Sequence, residues 1–366
     1  MIDRATRNKH VDAMLGIGIV FVVMGHRYQP DSLFFPAYTF HMGLFFFISG
    51  YLATIRTNWR EKLELARRKS RSQLLRYFQY NLFFAVLTWA LAQIGIELGY
   101  NIPVFKSTTT VLESVRDFIL VPFLDGHQYL LYLAAWFILQ LYLVHLLFQA
   151  VMWSARRGCV LAVLALTIPV TLLLLQAGLG DYTDLRLTGV RTSFAFLFYL
   201  FGYIIKREEP TLGKLLRSPG LLAVEFVLVN VLAINFGNIR YNIVLGDIGN
   251  SRVWVPPCST LLIVLMVFQI AWHLAGWISD SAFLLRLGRA TLPILVWHFT
   301  IFFLINVALF AAGLVTFKDL SNNWFILNPK QTWLLYEVPA LLAPLWIDRG
   351  IGWLAMRVGL SRDGSF

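Results

Sequence analysis

The sequence is short of charge. Only 14% of its 366 residues are Asp, Glu, Lys or Arg, where a soluble domain carries about 25%. That leaves too little polar surface to cover a water-soluble globule. Cysteine is nearly absent as well, with Cys159 and Cys258 at the edges of apolar runs. Two isolated thiols give neither a disulfide framework nor a metal-ligand spacing, so no metal site is expected. Both are read as small packing residues. No small-residue cleavage site follows the first apolar run, which is therefore read as a retained span rather than a signal peptide. No internal repeat, low-complexity tract or long soluble stretch stands out. The chain, 1–366, is read as one membrane domain.

What fills the sequence is apolar. Hydrophobic residues make up 58% and aromatics 15%, with a mean hydropathy of +0.66. Runs of about 20 apolar residues recur, the length a helix needs to cross the hydrocarbon core. The expected fold is all-α, a polytopic transmembrane helix bundle of about ten spans. They fall at about 11–28, 34–55, 74–97, 129–152, 159–177, 190–205, 219–236, 256–276, 290–313 and 332–350. The segment 98–128 is too short and too charged to span. Its VLESVRDFILVPF stretch suits a short amphipathic or re-entrant helix on the outer side.

The net charge is +11. In a soluble protein this would suggest nucleic acid. Here the Lys and Arg residues gather in short loops, as topology signals do, and no nucleic-acid partner is expected. Basic clusters lie at the N-terminus, over 56–76, at Arg156–Arg157, at Lys206 to Arg217, at Arg286 and Arg289, and in the tail. With ten spans, all fall on one side. The positive-inside rule makes that side the cytoplasm, with both termini there. An odd count would break the agreement.

Ionisable groups inside membrane helices are costly, and functional by default. The candidates are Asp12, His26, His41, His145, Glu225, His273 and His298. His26 closes the run DAMLGIGIVFVVMGH, near the outer end of span one. A neutral imidazole there could act as a general base, although a lone histidine at such a place is often only a packing residue. His41 lies in FHMGLFFFISGYL, about 10 Å into span two. A short loop makes the two spans antiparallel neighbours, so His26 and His41 sit at one level.

Asp12 precedes His26 by fourteen positions, about 21 Å along a helix. It belongs at the cytoplasmic mouth, as polar support for a site or as a helix N-terminal charge favoured by the dipole. The surplus cations of 56–76 could meet anionic membrane lipid or the phosphates of a nucleotide-like donor. Pro293 is expected to kink span nine. Glu225 needs a partner, and His145 and His273 are read as inert helix-end residues.

These residues resemble the first two spans of the membrane acyltransferase-3 family, with the fucose O-acetylase-like branch the nearest match. The matching positions are Asp12, Gly16, Gly25 and His26, then Phe40, His41, Met42 and the run Leu44 to Tyr51. The resemblance implies transfer of an acyl group, usually acetyl, from cytoplasmic acyl-CoA to a hydroxyl of a sugar or lipid-linked glycan. Acetyl-CoA or another acyl-CoA would be the co-substrate, and a bacterial inner membrane the location. The resemblance makes His26 the catalytic residue, with His41 beside it. It makes Arg68, Arg71 and Arg76 the contacts to CoA.

Two positions depart from the pattern. Leu15 stands where a basic residue is usual, and Gly43 where a proline is usual. Either another cation, such as Arg191 or one of the 67–76 cluster, substitutes for position 15, or the activity is weakened or altered. Two rival readings stay open: a glycan or lipid transporter or flippase, and a family member without catalysis.

Overall fold

A computed structural model describes residues 8–26, 36–98, 111–124, 129–177, 185–236, 252–322 and 324–357. The regular elements are helices: α1 (Lys9–Gly25), α2 (His41–Tyr51), α3 (Trp59–Lys69), α4 (Leu75–Gln93), α5 (Val111–Leu124), α6 (Trp136–Val151), α7 (Arg157–Gln176), α8 (Leu185–Leu216), α9 (Pro219–Asn235), α10 (Val255–Trp277), α11 (Phe283–Arg289), α12 (Thr291–Ala311) and α13 (Pro329–Arg357). The chain is an all-helical membrane bundle. Each expected apolar run carries a helix, and α5 occupies the segment expected to hold a short outer one. Among the described residues, five helical stretches are both long and apolar enough to cross a membrane: Leu130–Val151, Arg157–Gln176, Arg186–Leu216, Val255–Trp277 and Thr291–Ala311.

Three local expectations are corrected. The basic segment 56–76 is not a loop. Asn58 caps α3 by accepting from the Arg60 amide, Glu61 lies in its first turn, and Arg67, Arg68 and Lys69 lie in its last. Those charges suit the helix dipole at both ends. A single π turn over 70–74 then runs on into α4. Second, Arg286 and Arg289 sit on a helix of their own, α11. Third, Pro293 falls in the first turn of α12. A missing N–H there removes no intrahelical bond, so no kink follows.

Between helices in lipid the hydrophobic drive is weak, and close packing of small residues replaces it. Gly50 and Gly202 show this where α2 crosses α8: a methyl on either would collide with the carbonyl of Tyr199 or Phe47 on the other helix. Gly43 has the same cause. Its backbone lies against the Thr260 methyl, while the Thr260 hydroxyl donates to the Thr39 carbonyl at 2.6 Å. The start of α2 is thus pressed onto α10, with no room for the ring of a proline.

Side-chain links gather the basic turns at one end of the bundle. Lys9 pairs with Asp280 at 2.7 Å and Arg289 with Asp12 at 2.8 Å. Lys206 lies over the Tyr51 ring, and Arg217 lies 3.4 Å from the centroid of Trp272. Arg207 donates to the Ala155 carbonyl. This is the basic end. His26 and His41, at the far ends of α1 and α2, lie toward the opposite end.

Candidate active site

His26 ends α1, and His41 begins α2. His298, seven residues into α12, joins them. Its ring centroid is 5.1 Å from that of His26, closer than His41 at 6.4 Å. All three form the same local bond: Nδ1 meets the carbonyl four residues back, Val22 for His26 (2.7 Å), Ala37 for His41 (2.6 Å) and Ile294 for His298 (2.9 Å). A carbonyl only accepts, so Nδ1 carries the proton and Nε2 of each neutral ring carries the lone pair. The helical backbone thereby fixes the tautomer a general base needs. His41 and His298 are buried, and His26 is half-buried.

Aromatic rings surround His26. Tyr38 lies 5.7 Å away, Phe299 4.8 Å, and Trp324 6.3 Å in a stacked orientation. Trp324 is 48% exposed, so its ring presents an open surface beside the histidine. Asn322 holds the Trp324 amide, and Asn306 donates to the neighbouring Phe325 carbonyl while accepting from Tyr336. The loop carrying Trp324 is therefore tied to α12 and α13.

A cavity of about 960 Å³ opens at the basic end. Arg68, Lys69, Arg71, Arg76, Arg286 and Arg289 line it, and among the described residues no carboxylate does. Among the described residues neither Arg68 nor Arg71 has a carboxylate within ion-pair distance. Gln73, also in the wall, has a buried Oε1 with no hydrogen-bond partner among the described residues. The inner end is apolar, with Phe45, Phe137, Ile138 and Leu295. Phe45 lies four residues from His41 and Leu295 three from His298. The cavity thus reaches within about one helical turn, about 5 Å, of His41 and His298 along their own helices.

This architecture joins an anion-attracting mouth to a cluster of poised imidazoles. A family model described as an acyltransferase domain matches residues 8–347. The chain belongs to the acyltransferase-3 family. It is therefore an acyltransferase, and its helices are those of a membrane protein. No curated protein and no solved structure gave a match.

The acyltransferase brings together most of the residues expected from sequence. Arg68, Arg71 and Arg76 share one cavity, and Asp12 stands behind it, buried and paired to Arg289. Leu15 is in the wall of the same cavity. Arg191 is not. It is buried at the start of α8 against Trp136, 5.4 Å from its ring centroid. The idea that Arg191 substitutes at position 15 is thereby corrected.

Glu225 has a partner, accepting from Gln269 at 2.6 Å. His145 is not an inert end residue: Lys69 donates to its Nε2 at 3.0 Å, and its Nδ1 meets the Tyr199 hydroxyl at 2.9 Å. His273 does sit exposed near a helix end, on the Arg217 carbonyl. Among the described residues no group of three His, Cys, Asp or Glu side chains is arranged to hold a metal ion.

His298 was legible only as one of the intramembrane ionisable candidates, and nothing in the sequence alone grouped Trp324, Arg286 or Arg289 with the site.

Proposed function

We propose that the protein transfers an acyl group, most simply acetyl, from cytoplasmic acyl-CoA to a hydroxyl of a sugar or lipid-linked glycan in a bacterial inner membrane, as in fucose O-acetylase-like relatives. The observation carrying this reading is the cavity: six cations and, among the described residues, no carboxylate at its mouth, and an apolar inner end about one helical turn along α2 and α12 from His41 and His298, which flank His26. The basic end faces the cytoplasm, as the positive-inside rule requires, with the termini on that side and ten spans between them.

On this reading the phosphates of the donor stay among Arg68, Arg71, Arg76 and their neighbours, where forked guanidinium contacts favour them. Gln73 offers its unsatisfied amide oxygen to an N–H of the donor arm. The acceptor enters from the opposite end, past Trp324. His26 Nε2 takes the proton of the acceptor hydroxyl as the oxygen attacks the thioester carbonyl. The C–S bond breaks, the new ester C–O bond remains, and the imidazolium returns its proton to the departing thiolate. His41 and His298 lie beside His26 as a polar wall around the transferring proton.

The test is incubation of purified full-length protein with labelled acetyl-CoA, reading binding and thioester cleavage. It is paired with NMR of surface glycans from cells with and without the gene. Binding, slow hydrolysis and a gene-dependent O-acetyl signal are expected. A protein that neither binds nor cleaves acetyl-CoA does not have this function, and unchanged ester signals reject the glycan acceptor.

A further inference from the structure

The cations of the cavity stand on two separate elements. Arg68, Lys69, Arg71 and Arg76 come from the hinge between α3 and α4, while Arg286 and Arg289 come from α11. The second group is held more rigidly. Arg289 Nε donates to Asp12 Oδ2 at 2.8 Å, and Asp12 is only 2% exposed. That bond uses one of the five guanidinium donors and leaves the terminal nitrogens for another anion. Arg286 is held in the same way, its Nε donating to the Ser281 carbonyl at 2.9 Å.

The backbone beneath is fixed as well. A methyl on Gly288 would collide with the Asp12 carbonyl, and one on Gly16 with the Leu284 carbonyl, so α11 is seated directly on α1. The next helix, α12, begins in the cavity wall at Thr291 and adds the positive end of its dipole. Leu15 lies one turn beyond Asp12 in the same wall, apolar in the midst of these charges.

We propose that Arg289 and Arg286 form a second phosphate-binding arm facing the α3–α4 hinge. The cavity is then a two-sided clamp for a ligand bearing phosphates at more than one position. Asp12 is the positioning residue that aims Arg289. The inference takes the acyl-CoA reading of the cavity as its starting point. It adds that donor affinity depends on α11, which lies more than two hundred residues from the hinge arginines. The Asp12–Arg289 pair, with its carboxylate buried and its guanidinium open to the cavity, also explains how an apolar residue is tolerated at position 15: the cation for that wall arrives from α11 instead of α1.

The experiment measures the affinity of coenzyme A for full-length protein in neutral detergent by calorimetry. Arg289→Leu is expected to weaken binding roughly 10- to 100-fold, the range for loss of a charge-assisted bond. Leu15→Arg added to Arg289→Leu restores most of it, which a merely structural role for Arg289 does not predict. Because Arg289→Leu takes an ion-pair partner from the buried Asp12, the double variant Asp12→Asn/Arg289→Gln is measured as well. It removes the pair without leaving a lone charge, and the same weakening is expected.

Phosphatidylglycerol nanodiscs form the second arm, since a lipid headgroup offers similar phosphate chemistry. Arg289→Leu should leave phosphatidylglycerol binding unchanged. If wild type binds coenzyme A and both Arg289 variants, shown folded, bind it within twofold as well, the clamp is wrong while the donor reading stands. If the variants lose phosphatidylglycerol but keep coenzyme A, α11 serves lipid and the clamp is equally overturned. If wild type itself fails to bind coenzyme A, the donor reading has failed first.

Discussion

Replacing His26 with alanine separates catalysis from folding, and the structure sets the size of both effects. On the folding side His26 loses little. It is half-buried at the end of α1, and its Nδ1 bond to Val22 runs within its own helix. A bond of that kind contributes about 0.5–1.5 kcal/mol, so a bundle of thirteen helices should insert and purify normally without it. On the catalytic side, a general base contributes roughly 10²–10⁴-fold, which is about 2.7–5.4 kcal/mol of barrier. His298, at 5.1 Å between ring centroids, is fully buried where His26 is half-exposed, so an entering acceptor meets His26 first.

The assay is release of free thiol from acetyl-CoA by purified protein in nanodiscs with a glycan acceptor, alongside calorimetric binding of coenzyme A. The expected result is a fall in kcat of at least about 100-fold with coenzyme A affinity unchanged, because on the proposed reading the donor's phosphates sit more than two helical turns away at the basic end. A correctly inserted His26→Ala protein that keeps kcat within about tenfold of wild type would refute the assignment of the base to His26. His298→Gln would then be the variant to measure.

Two further outcomes follow from neighbouring groups. Lys69 is pushed down to about 8, first by burial and then by the adjacent Arg68 charge. Its ammonium is therefore present below pH 8 and lost above it, so coenzyme A binding should weaken as pH rises from 7 to 9. Lys69→Arg, which stays charged throughout, should flatten that profile, and a wild-type affinity constant across this range would count against Lys69 as a donor contact. At the opposite end, Trp324→Ala should raise the acceptor KM about 3- to 10-fold, from the roughly 0.5–1.5 kcal/mol of an aromatic contact. It should leave acetyl-CoA hydrolysis in the absence of acceptor untouched; equal loss of both activities would show that Trp324 only supports the fold.

The helical bundle was legible because the bilayer constrains sequence so strongly: apolar runs of spanning length leave few alternatives. His26 and His41 were legible for a related reason, since a short connection forces antiparallel neighbours and places both at one depth. Arg286 and Arg289 were not, because proximity between α1 and α11 is decided by packing. The deciding residues are Gly16 and Gly288, which read as ordinary small residues until the carbonyls they admit are seen. The α3 helix was hidden by its charge. Eight Lys and Arg residues between 56 and 76 look like a topology signal, and the capping Asn58 is a weak mark beside them. Arg191 misled because charge was read without position: its place at the start of α8 puts it against Trp136, outside the cavity wall.

Depth decides between a fixed catalytic site and a moving transport pathway. From Leu15 in the cavity wall to His26 is eleven residues, about 16 Å along α1, about half of a hydrocarbon core roughly 30 Å thick. From Thr291 to His298 along α12 is seven residues, about 10 Å. A donor whose phosphates rest among the cations therefore has to deliver only its acyl end, through an apolar channel already open to Phe45 and Leu295. On the proposed reading the acceptor approaches a half-buried His26 from the other side. Neither reactant needs to cross, so no helix needs to rock. The features that would resist rocking are the ones present: glycine-seated contacts of α1 on α11 and α2 on α8, and the Asp12–Arg289 pair binding two elements at the mouth. A transporter would have to break such contacts in every cycle. An enzyme that passes an acyl group between the two faces of a membrane depends on keeping them.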